Sequence, residues 1–366
     1  MSFESGNITF RMFYLPQPLP RDYVDRFLAR AAPPITTLGS EPIHGWVTGR
    51  HLLDTHITPE TALFTGFLRM TLMRAERKIP ESLLRAECRM EELARMQAEG
   101  RAEIDRRTRS EIREEISDRL LPTMPPQLKG MALVHLPKSQ VLYAEAVSDK
   151  QMDALEASFR ETMGFGLIPV SPVYAAAHRL KVDVRDIAPA SFSPDCEDET
   201  AGDSIGQDFL TWLWFYSEAR GGMIRVPDRG DFGIMVEGPL MFVLEGQGAH
   251  ETVLRRGTPE LSVEAKIALL SGKKLRRAKL LLARGQDTWQ VTLDADLFTF
   301  RGLKLPETEK LEPVSRFQER MTSLDTFTGT FFDIYDRFIK ERTDAKVWEK
   351  TRGEIHRWVS ERSARK

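Results

Sequence analysis

From Gly6 to Tyr14 the side chains alternate, and Ile8, Phe10, Met12 and Tyr14 fall on one face, so the chain opens with a half-buried strand. Pro16, Pro18 and Pro20 end it, because proline cannot donate to a sheet ladder. Residues 21–31 have the pattern of a short helix. Alternation returns over 62–74, where Phe64, Leu68, Met70 and Leu72 share a face, and predicts a second strand. The period then becomes helical. Pro80 and Glu81 suit a first turn, and Leu83, Ala86, Met90 and Leu93 recur at helix spacing through 81–99. Gly100 interrupts, and residues 102–121 resume with Ile112, Ile116 and Leu120 before Pro122, Pro125 and Pro126. The apolar stripe is narrow and the other positions are largely Arg and Glu, which predicts a helix pair over about 81–121 that projects from the core with wet sides.

Beyond it the pattern predicts strands at 131–136 and 140–147, a helix over 149–163 opening at Asp149, and a strand at 165–170. This is α+β, mixed sheets with packed helices, rather than a regular βαβ alternation. The polar, acidic stretch 185–205, with Pro189 and Pro194, has linker character. Residues 208–218, DFLTWLWFYSE, form a strongly aromatic helix of the core or of an interface. Strands are expected at 232–245 and as a hairpin over 275–300 turning at Arg284-Gly285-Gln286-Asp287. A helix over 262–271 ends at Gly272 as its C-cap. From 313 onward the tail is helical, anchored by Phe317, Met321, Leu324, Phe331, Phe332 and Trp348. The expected organisation is a central α+β region (1–75 and 123–185), the charged helix pair (76–122), a second α+β region with the basic hairpin (186–310) and a C-terminal helical region (311–366).

Of the 366 residues 41% are hydrophobic, enough for a sizeable core, and charged residues make up 29% with a net charge of only −2. Electrostatic binding must therefore come from local patches and not from the chain as a whole. The two cysteines, Cys88 and Cys196, are far apart and form no disulfide framework, in keeping with a reducing compartment. The first residues have no apolar signal segment, and the longest apolar run, 210–216, is far too short to span a bilayer. A soluble, cytoplasmic protein without a membrane partner is expected.

Charge is concentrated at 270–286, LSGKKLRRAKLLLARGQ, where Lys273, Lys274, Arg276, Arg277, Lys279 and Arg284 occur with no acid between Glu264 and Asp287. A second group is Arg69, Arg74, Arg77 and Lys78. A third is Arg101, Arg106, Arg107, Arg109 and Arg113, where Glu103, Asp105 and Glu111 are interleaved in a manner that also fits ion pairs along a wet helix. Dispersed basic groups on a neutral chain point to phosphates along an extended ligand. Duplex DNA offers such a charge array, and counterion release drives binding without reading bases. A solvated surface strand is the plain alternative for 270–286. No helix-turn-helix, zinc finger or RNP-type strand is present, which argues against sequence-specific readout.

Candidate chemistry is sparse. Ser271-Gly272-Lys273-Lys274 fails as a phosphate loop, because Ile267 stands where glycine is needed and Lys274 where Ser or Thr is needed. His51, Asp54 and His56 have the spacing of a loop cluster and not of a zinc site. Asp195, Glu197, Asp198 and Glu199 are either solvated linker acids or the ion ligands of a metal-dependent nuclease, the enzymatic rival. No nucleophile elbow or Cys–His pair stands out. No catalytic residue, metal or cofactor is expected.

Several short stretches, in order, resemble the recombination-associated RdgC family. They are His44-Gly-Trp-Val47, then Arg74-Ala-Glu-Arg-Lys-Ile-Pro80 with the long charged helices closed by Leu120-Leu121-Pro122, and then Leu167-Ile-Pro-Val170. Val253-Leu-Arg-Arg256, Ser271-Gly272-Lys273 with the basic hairpin to Leu303-Lys304-Leu305, and Leu324-Asp-Thr-Phe-Thr-Gly329 complete the series. The stretch 200–245, with Thr211-Trp-Leu-Trp214, is an expansion relative to shorter members, and Leu121-Pro-Thr-Met-Pro125 departs from the usual ending. The resemblance implies a horseshoe-like subunit, a ring-shaped homodimer around double-stranded DNA, nucleoid association, and restriction of RecA access during recombination and replication. On this reading Lys273, Lys274, Arg276, Arg277 and Lys279 face phosphates, Lys273 matching the family's Gly-Lys position. Arg74, Arg77, Lys78, Arg107 and Arg109 add contacts elsewhere. A third reading is a non-catalytic protein-interaction module that docks through 209–216.

Overall fold

The computed structural model describes residues 3–100, 102–136, 139–187, 190–196, 204–244, 251–307 and 312–363, with 361–363 described by backbone alone. The chain forms two compact units. The first holds Met1–Pro18, Val134–Asp153 and Gly166–Lys366, and the second Leu19–Leu133 and Ala154–Phe165. Of the four regions expected from sequence, 186–310 and 311–366 both fall in the first unit.

In chain order the elements begin with β1 (Ile8–Tyr14), α1 (Tyr23–Ala29), β2 (Ile43–Thr48), α2 (Pro59–Ala62), β3 (Leu63–Phe64) and β4 (Phe67–Arg77). Helices α3 (Glu81–Glu99) and α4 (Arg106–Leu120) follow, then β5 (Pro126–His135), β6 (Val141–Ala144), α5 (Asp149–Met163), β7 (Ile168–Pro169) and α6 (Pro172–Leu180). The remainder is α7 (Ile205–Ala219), β8 (Met223–Val226), β9 (Gly230–Val243), β10 (Glu251–Leu254), α8 (Val263–Leu270), β11 (Lys274–Arg284), β12 (Asp287–Asp294), β13 (Thr299–Lys304), α9 (Pro313–Thr343) and α10 (Ala345–Ser363).

In the second unit β2 pairs antiparallel with β4, from Ile43 opposite Ala75 to Thr48 opposite Met70, and β5 lies on the other side of β4. Leu68 to Met73 are buried on both faces, because β4 is a central strand. Trp46 is fully enclosed. Its Nε1 donates to Thr162 Oγ1 at 2.8 Å and its ring meets Phe27 edge-on at 4.9 Å. The two charged helices pack through Leu84, Ile112 and Ile116. Arg95–Glu115 at 2.6 Å, Arg119–Glu87 at 3.0 Å and Arg113–Glu81 at 3.4 Å tie their flanks. Gly100 ends α3 at φ +61°, and the Asp105 side chain caps α4 by accepting from the Thr108 N–H.

The first unit is built on an antiparallel sheet in the order β10-β9-β11-β12-β13-β1-β6, with β8 on β9 and β7 on β1. Along β9, β11 and β12 alternate residues are buried, among them Phe232, Ile234, Leu280, Leu282, Val291 and Leu293. Helix α7 packs on this face, and every residue from Ile205 to Tyr216 is buried. A helix apolar all round belongs in a core. Phe209 sits among Phe298, Phe331, Tyr335 and Phe338, with ring centroids 5.1–6.2 Å away. The 209–216 segment is therefore the centre of this unit and not a docking face.

Other elements differ from the sequence expectation. The strand expected at 165–170 shrinks to Ile168–Pro169, because Ser171 and Pro172 start α6, with Ser171 Oγ accepting from the Tyr174 N–H at 3.1 Å. The hairpin expected over 275–300 is completed by a third strand, β13, and the tail divides at Asp344 into α9 and α10. Of the expected linker, residues 188–189 and 197–203 lie outside the described residues.

Gly206 lets α7 approach the chain after β12, since a Cβ there would collide with the Ala295 carbonyl oxygen and with Pro172. Gly206→Ala is expected to destabilise the protein by about 1–3 kcal/mol, the usual cost of overpacking, read from the denaturant midpoint. Gly39→Ala, where the added methyl meets nothing within 4 Å, serves as the comparison and should shift it little.

Candidate nucleic-acid interface

Because α7 covers one face of β9 and β11, and α9 meets Trp289 and Phe300 on the same face of β12 and β13, the side chains that alternate away from these helices stand on the opposite face. The registers align them in rows. One row runs Glu237, Lys279, Thr292, Arg301; a second Met241, Arg277, Asp294, Thr299; a third Met235, Leu281, Gln290, Lys304. Arg225 on β8 lies opposite Asp231 in the adjacent register, and Arg11 on β1 reaches Thr299 Oγ1 with its Nε at 2.7 Å. The face thus gathers Arg11, Arg225, Arg277, Lys279, Arg301 and Lys304 against Asp231, Glu237 and Asp294, an excess of positive charge whose cations come from four strands, β1, β8, β11 and β13.

The sequence singled out the basic strand, and folding supplies its cations with acids. Arg277 binds Asp294 Oδ2 through Nε and NH2 at 3.2 and 2.6 Å, and Lys279 meets Glu237 at 3.1 Å. Arg276 is paired with Asp296 at 2.6 Å and Arg284 with Asp287 at 3.2 Å. All four remain partly exposed, so their charge is offset and not hidden. Lys273 lies in the turn after α8, where Gly272 at φ +82° caps the helix, and its Nζ donates to Thr252 Oγ1 on β10. Lys274 differs from these. It is 9% exposed, and its Nζ lies 2.9 Å from both Asp208 Oδ1 and Ser204 Oγ. Its charge is used inside the fold and does not face a ligand.

The other nominated residues lie in the second unit. Arg74 is exposed and bonds Glu76 at 2.6 Å, a carboxylate shared with Lys129. These two cations hold the Glu76 carboxyl below its usual range, mainly through their hydrogen bonds. Arg77 donates to the Met124 carbonyl oxygen, and Lys78 is exposed. Arg69, from the same basic group, is buried against the Phe64 ring at 4.6 Å. Arg107 pairs with Glu111 one turn on at 2.9 Å, and Arg109 approaches Glu92 at 4.0 Å. These are the ion pairs along wet helices that the interleaved acids of α4 imply. Arg101 and the rival acids Glu197, Asp198 and Glu199 lie outside the described residues. Asp195 is described, its N–H donating to Ser193 Oγ at 3.1 Å. Among the described residues no group of three or more His, Cys, Asp or Glu is placed to hold a metal ion.

Sequence reasoning missed Arg11, Arg225, Arg301 and Lys304. Arg11 and Arg225 are single cations in their strands and β13 carries only Arg301 and Lys304, so no local charge density marks them. The signal was register: β13 alternates Phe300, Arg301 and Leu303, Lys304 around Gly302, whose φ of +65° makes the bulge.

Fold and face together describe an α+β scaffold that presents cations across a sheet. A family model described as "RdgC: Putative exonuclease, RdgC" matches residues 20–197, just under half of the chain, which supports assignment to the RdgC family. Every cation of that face lies outside the matched span, Arg11 before it and the others after it. No curated protein matches the chain. No helix among the described residues is long and apolar enough to cross a membrane.

Lys274→Met should destabilise the fold by about 3–5 kcal/mol, since it leaves Asp208 buried without one of its cations. Guanidinium unfolding measures this. A stability change of under about 1 kcal/mol would mean that the lysine is not held inside as described.

Proposed function

We propose that the protein binds double-stranded DNA through its phosphates, without reading bases, and that it does no chemistry on the DNA. The observation that carries this reading is the open sheet face, where cations from four strands exceed the acids and the opposite face is covered by α7 and α9. Rows of side chains on neighbouring strands stand about 4.8 Å apart, which lets several cations meet one run of phosphates. The mixture of Arg, Lys, Thr and Gln supplies phosphate donors, and nothing in it resembles a helix docked in the major groove.

The likeness to the RdgC family supports the further reading that two copies close a ring around the duplex, associate with the cytoplasmic nucleoid, and limit RecA access by occupying the DNA. A two-fold ring needs two self-complementary contacts. The mechanism is occupancy. The second reading is nucleolytic and is favoured by the exonuclease description of the matching family, with Asp195 and the neighbouring acids as candidate ion ligands.

The test is fluorescence anisotropy of two unrelated short duplexes over a salt series, with the same mixtures run on a gel after incubation with Mg²⁺ or Mn²⁺. The expected outcome is similar affinity for both, falling steeply with salt by a log–log slope of about −0.9 for each phosphate engaged, with the DNA intact. Absence of binding at low salt defeats the DNA reading, and cut DNA moves the nuclease ahead of it.

A further inference from the structure

The cations on β11 have their own acids, but two arginines on the same face do not. Arg11 is 7% exposed, and among the described residues its hydrogen bonding is limited to Nε on Thr299 Oγ1, so both terminal nitrogens keep their N–H groups uncommitted. It borders a cavity of about 270 Å³. Arg301 is half-buried on β13, and its Nε is enclosed without a hydrogen-bond partner. Among the described residues no carboxylate forms an ion pair with either. Asp294, which stands opposite Thr299 in register, is engaged by the fork of Arg277.

The local backbone brings the two together. Ile8 pairs with Leu303 and Phe10 with Phe300, and the extra residue between these pairs is taken up at Gly302, whose N–H donates to Thr9 Oγ1 at 2.9 Å. Arg301, just before the bulge, thereby sits beside the strand that carries Arg11. Burial lowers the Arg11 guanidinium from its usual value, Asp149 and Asp294 counter this, and the charge of Arg301 lowers it further. Asp149 and Asp153 line the same cavity as Arg11. They follow β6, whereas Arg301 is on β13, and these strands flank β1 on opposite sides. An anion is therefore favoured on the β13 side.

We propose that Arg11 and Arg301 form a phosphate seat on the open face of the sheet. Two guanidinium forks offer planar donor pairs that match phosphate oxygens, and an anion between them relieves the repulsion of two like charges in a half-buried setting. For its natural ligand the seat rests on the DNA reading above, and it names the positions where that contact is strongest. The β11 cations give up part of their attraction to Asp294, Asp296 and Glu237. The pair Arg11 and Arg301 gives up little.

The experiment compares duplex binding by the full chain, Arg301→Gln, Arg11→Lys and, as a control outside the face, Lys346→Gln on α10. Arg301 is the primary position because it is the less buried of the two. Arg301→Gln is expected to weaken binding about tenfold and to reduce the salt slope by about one, with the control unchanged. Arg11→Lys, which keeps the charge but loses the fork, should weaken binding several-fold with little change in slope. Affinity and slope for Arg301→Gln equal to those of the control would overturn the seat. A parallel melting series in inorganic phosphate, against chloride at matched ionic strength, separates the two possible sources of the ligand. If the unaltered protein binds no duplex, the DNA reading fails by itself. The seat then stands for a small phosphate if phosphate raises the melting temperature of the unaltered protein and not of Arg301→Gln. It falls if neither responds.

Discussion

The first unit depends on burying one helix completely. Helix α7 is apolar on every side, and it is held by charges placed at intervals along it. Near its start Asp208 meets Lys274 from β11 at 2.9 Å and Arg342 from α9 at 3.5 Å. Near its end Glu218 accepts from the indole N–H groups of Trp214 at 2.7 Å and Trp358 at 3.1 Å, with Lys266 Nζ 4.0 Å away and 2.7 Å from the Trp358 ring centroid. Just beyond, Arg220 binds Glu341 and Glu354, each at 3.0 Å, so the helix is joined to both α9 and α10. Hydrophobic burial is non-directional and would let a smooth apolar cylinder slide or rotate. Buried ion pairs add little net stability, but they are costly to mispair, and here they set the position of the helix between the sheet and the C-terminal helices.

That arrangement decides which side of the sheet is available. With α7, α9 and their aromatic residues on one face, the alternating residues of β9, β11, β12 and β13 on the other face form the surface that carries the cations. The cations of the basic strand then divide by task. Lys274, at the start of the strand, is drawn inward to complete the core, while Arg277 and Lys279 stay partly exposed beside acids from neighbouring strands. Arg11 and Arg301, inconspicuous in sequence, are left with the least compensation. Local charge density in a sequence is thus a poor measure of the charge a folded surface presents, because antiparallel pairing brings distant acids beside the cations.

The local periodicities determined much of the secondary structure. The helices Glu81–Glu99 and Asp149–Met163 have the bounds their apolar spacing and first-turn residues imply, and the turn at Gly285 closes the β11–β12 hairpin where the Arg-Gly-Gln-Asp stretch places it. The aromatic helix was legible as a helix, but whether it is core or interface was not, since both environments favour the same side chains. Short strands such as Met223–Val226 and Glu251–Leu254 escaped notice because a few residues carry too little period to separate them from loop.

What the sequence by itself determined is the α+β class, the charged helix pair as two helices, the basic hairpin and the family. What only the tertiary structure decided is the fate of each charge. Whether Lys274 meets solvent or Asp208, and whether Arg301 meets an acid or stands beside Arg11, depends on registers between strands separated by up to about three hundred positions in the chain, as in Arg11 and Thr299. A one-residue change of register would exchange the faces, and no local pattern encodes that choice, because it is made by the whole buried face against α7.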